Sequence, residues 1–108
     1  MSKLQTASDA ELVARVIAGD IEVYGELMKR YESKLMRYVT YVLSGDYASA
    51  DVVQETFIKA YTNLRSYKPR YSFSAWIYRI AHNTAINVAK KNKRYMAFPD
   101  ADVIDSLP

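Results

Sequence analysis

The stretch IEVYGELMKRYESKLMRYVTYVL (21–43) places apolar side chains at Tyr24, Leu27/Met28, Tyr31, Leu35, Tyr38/Val39 and Val42. Steps of three and four residues, sustained over this length, are the period of an α-helix with one buried stripe. A strand would alternate every second residue, and this stretch does not. Each end is punctuated. Gly19-Asp20 precedes it and Ser44-Gly45-Asp46 follows it, and both read as a stop followed by a recap.

The same grammar extends outward. Ser8 with Glu11 forms a capping-box signature that opens a first helix, at about 8–18. Downstream, a third helix at about 47–65 carries Val53, Phe57, Ala60/Tyr61 and Leu64 on one stripe. The loop SYKPRYS (66–72) interrupts it, because Pro69 has no N–H for an interior helical bond. Ser72 can cap a fourth helix, at about 73–94. There Phe73, Ile77, Ile80, Thr84 and Val88 share a stripe, flanked by Trp76 and Ala81, and this stripe is read as core. The predicted architecture is an all-α compact bundle of three long helices plus a short N-terminal one. Residues 1–98 form the domain. A frayed, linker-like tail is expected from 99 to 108.

The bulk numbers suit this plan. The chain has 108 residues, enough for one domain with its own core. It has no cysteine, which removes disulfides, thiolate metal sites and Cys nucleophiles and fits a cytoplasmic protein. No stretch approaches the ~18 uncharged apolar residues of a membrane span.

Charge is segregated. Residues 1–55 hold six basic and nine acidic side chains, whereas 56–99 hold nine basic and none acidic. Asp100, Asp102 and Asp105 follow. Such asymmetry predicts two faces with different partners, one of them a polyanion.

On the fourth helix, Arg79, Asn83 and Lys90 cluster on one face at 100° per residue, and Asn87 sits between them and the core. His82, Tyr78 and Lys93 are expected to continue around the solvent side. Cations neutralise phosphates without reading sequence, while an Asn amide carries the donor and acceptor that suit a base edge. Asn is a poor helix former, so two of them four residues apart in mid-helix call for a reason. In the preceding loop Tyr67, Lys68, Arg70 and Tyr71 alternate rings with cations, the chemistry of a single-stranded nucleic-acid site. Each of these rings could equally fold down on the core. The third helix differs. Its face opposite the core stripe carries Asp51, Gln54, Glu55, Ile58 and Thr62, a pattern that repels phosphate and suits a protein contact.

Catalysis finds little support. His82 is the one histidine, without an acid near it in sequence. No phosphate-binding loop, zinc-protease motif or dinucleotide fingerprint occurs, and the carboxylates are scattered. No enzyme activity, cofactor or metal is expected.

The segments LVARVIAGD (12–20), YGELMKRYESKLMRYV (24–39), DVVQETFIKAYTNL (51–64) and FSAWIYRIAHNTAIN (73–87) resemble region 2 of bacterial sigma-70 family sigma factors, in the extracytoplasmic-function branch. The resemblance covers about residues 9–94. It implies a transcription initiation factor domain. The helix DVVQETFIKAY would dock on the clamp helices of the largest subunit of core RNA polymerase through Asp51, Gln54, Glu55 and Ile58. The following loop and helix would recognise and melt the promoter minus-ten element. One non-template base would flip into a pocket lined or neighboured by Tyr67, Asn83 and Asn87. Arg79, Lys90, Lys91, Lys93 and Arg94 would hold the strand or the upstream duplex. An anti-sigma factor covering these surfaces is also implied. So is a linker toward a C-terminal helix-turn-helix domain that this chain does not contain. Two other readings stay open: a basic amphipathic helix on a membrane surface, and an interaction module built on the acidic third helix.

Overall fold

The computed structural model describes residues 3–45 and 48–91. The described residues form four α-helices: α1 (Asp9–Ile17), α2 (Tyr24–Val42), α3 (Ser49–Thr62) and α4 (Phe73–Lys91). Short 3-10 turns at Lys3–Thr6, Ile21–Val23 and Leu64–Ser66 precede α1, lead into α2 and follow α3. The long bundle helices are α2, α3 and α4, and the short first one is α1, as expected. The first 3-10 turn has no counterpart in the sequence reading. The predicted end of α4 at 94 and the tail 99–108 lie outside the described residues.

The local signals act as read. Ser8 Oγ accepts from the Glu11 N–H at 3.1 Å, and the Ser8 N–H donates to Glu11 Oε1 at 2.7 Å. Both bonds satisfy donors that the first helical turn cannot pair internally. Ser72 Oγ likewise accepts from the Ala75 N–H at 3.1 Å and starts α4. Both predicted stops fall at residues with positive φ: Gly19 at 116°, then Ser44 at 56° and Gly45 at 83°. The Asp20 N–H closes back on the Arg15 carbonyl, and the Gly45 N–H on the Thr40 carbonyl, pairing carbonyls that the helix ends leave open. The recapping role expected of Asp20 is not realised. Its carboxylate takes the Arg15 guanidinium at 2.7 Å and caps nothing. Asp46 lies outside the described residues.

The core lies where α2, α3 and α4 meet, closed at one end by Leu12, Val13 and Val16 of α1. Leu27, Leu35, Val39 and Val42 of α2, Val52 of α3 and Ile77 of α4 are essentially solvent-free. Each such side chain is worth roughly 1.5–3 kcal/mol of transfer free energy.

The buried stripe of α4 differs from the expected one. It is centred on Ile77, Ala81, Thr84, Ala85 and Ala89, while Ile80 and Val88 are half-buried edges. Three alanines at successive four-residue steps present almost no side chain, so a neighbouring helix approaches that line closely. The larger apolar residues Ile80 and Val88 mark a stripe offset to one side of the alanine line that the fold buries. The correction falls on Tyr78 and His82, which were expected toward solvent. Tyr78 is buried, edge-on to Tyr38 of α2 with ring centroids 5.4 Å apart. His82 is half-buried, with its Nδ1 2.9 Å from the Tyr38 hydroxyl.

Candidate nucleic-acid interface and docking face

Loop 66–72 is built from its own bonds. The Tyr71 N–H donates to the Lys68 carbonyl at 2.9 Å, a turn across Pro69-Arg70. The Tyr67 hydroxyl donates to the Tyr71 carbonyl at 2.7 Å and ties the loop's two ends together. The Tyr67 ring packs edge-on to Phe73 at 5.3 Å and tilts against Trp76 at 5.7 Å. Its exposure is 6%. Of the two readings open for this ring, Tyr67 takes the inward one, and packed against Phe73 and Trp76 it is not an accessible stacking ring at the place named for a flipped base. Burial, with the Asp9 carboxylate adding to it, pushes its hydroxyl pKa up. Tyr71 takes the other path. It is 60% exposed, with the Arg70 guanidinium 5.0 Å from its ring centroid. Lys68 is exposed beside them.

Where the end of α3 meets α4 there is a cavity of about 360 Å³, lined by Lys59, Asn63, Ser66, Trp76, Ile80, Asn83 and Thr84. Asn83 is exposed at its rim, and its side chain makes no hydrogen bond among the described residues. On the lining, Lys59 donates to Thr84 Oγ1 at 3.2 Å while pairing with Glu55 at 3.0 Å. The Thr84 hydroxyl in turn donates to the Ile80 carbonyl at 2.7 Å. Trp76 is half-buried and lines the cavity. The structure thus brings Asn83 and Trp76 together with three residues not singled out from the sequence: Lys59 of α3, Asn63 at its C-terminal cap and Ser66 of the 3-10 turn that follows. No local signal marks these three, because the cavity exists only once α3 and α4 are packed.

Arg79, Asn83, Asn87, Lys90 and Lys91 are the exposed residues of α4. This outward face carries cations and amides and no apolar side chain. A helix lying on a membrane needs apolar residues there, so the membrane-surface reading loses its support. Lys93 and Arg94 lie outside the described residues. Beside this face, His82 has its pKa lowered, by burial first and by the Arg79 charge second.

On α3, Asp51, Gln54, Glu55 and Ile58 are all exposed, and Ile58 stands 57% open to solvent. Ile58 borders a groove of about 820 Å³ between α2 and α3, which also takes in Met28, Met36, Val53, Phe57 and Tyr61. Met28 was read as a core position, yet it is 37% exposed on this groove. Its place at the edge of the α2 stripe, beside Leu27, was the one available hint.

Fold and site together define an all-α domain with a cationic, amide-bearing helix face and a separate acid-rimmed apolar face. The sequence matches the Sigma-70 region 2 family model over residues 27–95, and the chain belongs to that family. Relatives include the ECF RNA polymerase sigma-E factors of Escherichia coli (strain K12) and Salmonella typhi, each 43% identical over 100 residues. Those alignments cover 92% of this chain and 51% of each relative. The sigma-E factor of Haemophilus influenzae is 44% identical over 81 residues, covering 74% of this chain and 42% of the relative. The chain therefore spans about half the length of the curated relatives it matches. Among solved structures, an engineered region 2 of sigmaE in complex with GTAAAA, determined by NMR, superposes with a TM-score of 0.73 at 44% identity. That match covers 86% of this chain and 95% of the other.

Proposed function

We propose that this chain is the promoter-recognition domain of an extracytoplasmic-function sigma factor, a binding protein and not a catalyst. In this reading α3 docks on the clamp helices of core RNA polymerase through Asp51, Gln54, Glu55 and Ile58. Loop 66–72 and α4 hold the non-template strand of the minus-ten element once it is unpaired. Lys68, Arg70, Arg79, Lys90, Lys91, Lys93 and Arg94 meet phosphates. Asn83 reads a base edge, Asn87 adjoins it, and Tyr71 offers an exposed ring with the Arg70 guanidinium against it. Tyr67 acts from behind, as the wall against which Trp76 and Phe73 rest. Stacking and cavity contacts favour the melted strand by roughly 1–3 kcal/mol per stacked base. Binding energy so directed shifts the duplex toward opening. The domain works in the cytoplasm with the polymerase, and an anti-sigma factor that covers these faces would silence it.

The observation that carries this reading is the cavity at Asn83. An uncommitted amide, an indole-bearing residue and a cation converge on a space of about 360 Å³, beside a helix face with exposed cations. The relative solved with a bound hexanucleotide shares this fold. Two experiments test it. The first is titration of a labelled GTAAAA strand against its permutation AAAGTA, in which a clear preference for the first is expected. The second is capture of core RNA polymerase by the immobilised chain, with loss of capture on Glu55→Lys. Glu55 is exposed and, among the described residues, pairs only with Lys59 on the same helix, so the reversal should leave the fold intact. Equal binding of the two strands, together with unchanged capture by Glu55→Lys, would refute the proposal.

A further inference from the structure

The Asp9 carboxylate, in the first turn of α1, holds two α2 side chains at once. One oxygen accepts from the Arg30 guanidinium at 2.9 Å, and the other accepts from the Tyr31 hydroxyl at 2.5 Å. Arg30 is itself fixed from two further directions, by Glu26 at 3.1 Å and by the Leu4 carbonyl at 2.6 Å. These groups are mostly shielded, with side-chain exposures of 23% for Arg30, 25% for Asp9 and 14% for Glu26. Charge-assisted bonds at such sites are short and strong, so the orientation of Tyr31 is firmly set.

Tyr31 is also the first of a run of rings. It packs against Phe73 at 5.6 Å, Phe73 against Tyr67 at 5.3 Å and Trp76 at 5.5 Å, and Tyr67 against Trp76 at 5.7 Å. Its hydroxyl also meets the side chain of Ser74, in the first turn of α4. The run ends at the cavity where Asn83 stands. Side chains packed this densely respond to one another, so a ring freed at one end loosens the next. We infer that Asp9 is a positioning residue for strand recognition: by clamping Tyr31 it sets the rings that hold loop 66–72 and present Trp76 beside Asn83. This rests on the reading of the cavity as a base site. It adds that α1, far from the cationic face in sequence, tunes how well that site is formed.

The test uses the 108-residue chain with Asp9→Asn, which keeps the shape and removes the charge, and Tyr31→Phe, which keeps the ring and removes the hydroxyl. Trp76 is the sole tryptophan, so acrylamide quenching of its fluorescence reports the ring run directly. Both variants should show stronger quenching. Their preference for GTAAAA over AAAGTA should fall on the order of three- to tenfold, the span of one lost hydrogen bond. The salt dependence of binding should stay unchanged, since no phosphate contact is removed. Folded variants with wild-type quenching and wild-type preference would overturn the inference. So would altered quenching with an unaltered preference. Should Asp9→Asn lose its helical circular dichroism, Tyr31→Phe decides. If the wild type shows no strand preference, the base-site reading has failed instead, and the quenching arm still reports whether Asp9 sets the rings.

Discussion

Asn83 and Lys90 lie two turns apart on one exposed face, yet they do different work. An amide distinguishes bases by its donor and acceptor, and an ammonium neutralises a phosphate whatever base it carries. Asn83→Ala should therefore flatten the preference among minus-ten oligonucleotides and leave the salt slope nearly as it was. Lys90→Ala should weaken all sequences together and lower the slope by about one unit. Titrations at several salt concentrations separate the two. His82 supports a pH prediction. Its pKa in the folded protein lies below the ordinary 6.5, because burial against Tyr38 and the nearby Arg79 disfavour the imidazolium. The groups set against it are Tyr38 of α2, which meets its Nδ1 and packs beside its ring, and Arg79 of α4. Burial first, then Tyr41 and Tyr78, push Tyr38 up to about 12, so it stays protonated throughout. The unfolded chain thus takes up the proton first as pH falls. The stabilisation is complete above 6.5 and is lost as pH drops through that value toward the folded pKa. Melting temperatures between about pH 7.5 and 5.5 should decline for the wild type and change less for His82→Gln.

At the scale of elements, short-range chemistry sets where each helix begins and ends. The reciprocal bonds of Ser8 and Glu11 start α1, and α1 closes the core through Leu12, Val13 and Val16. Ser8→Ala should cost about 1 kcal/mol. In a domain of this size that lowers the melting midpoint by roughly 4–8 °C. The same cap also holds Asp9 at its post in the first turn, so Ser8→Ala should increase Trp76 quenching as well. A thermal melt followed by both circular dichroism and tryptophan fluorescence reads the two effects together. In α4 the decisive feature is a line of alanines. Because Ala81, Ala85 and Ala89 are fully buried, larger residues on that line would push α4 away from the bundle and reshape the cavity at Asn83.

The whole molecule depends on α2, whose buried face runs from Tyr24 to Val42 through the centre of the bundle. Leu35 is completely buried there, so Leu35→Ala should destabilise the fold by about 2–5 kcal/mol. Domains of this kind carry a total of about 5–15 kcal/mol. Urea unfolding followed by helical signal would measure the loss. Both working faces should weaken together, since α2 supports α3 and α4 alike. Substitutions confined to one face should not show that coupling. The segregated charges make the separation possible: Asp51 and Glu55 stand exposed on α3, and Arg79, Lys90 and Lys91 on α4.

The number of helices, the caps at Ser8 and Ser72, the stops at Gly19 and Gly45, the exposure of Asp51, Gln54, Glu55 and Ile58, and the uniform charge of the last helix follow from the sequence by itself. Each depends on neighbours within a turn or two, so periodicity and cap chemistry suffice to read them. The fate of the tyrosines does not. Tyr67 and Tyr71 share a loop and a residue type, and only the packed rings of Phe73 and Trp76 draw the first inward and leave the second in solvent. Tyr78 and His82 turned inward because Tyr38, on another helix, was there to meet them. The cavity beside Asn83 likewise needed Lys59 of α3 and Asn63 at its cap. Burial is a property of two surfaces in contact. A chain shows each of its surfaces in its own sequence, and tertiary structure alone decides which of them meet.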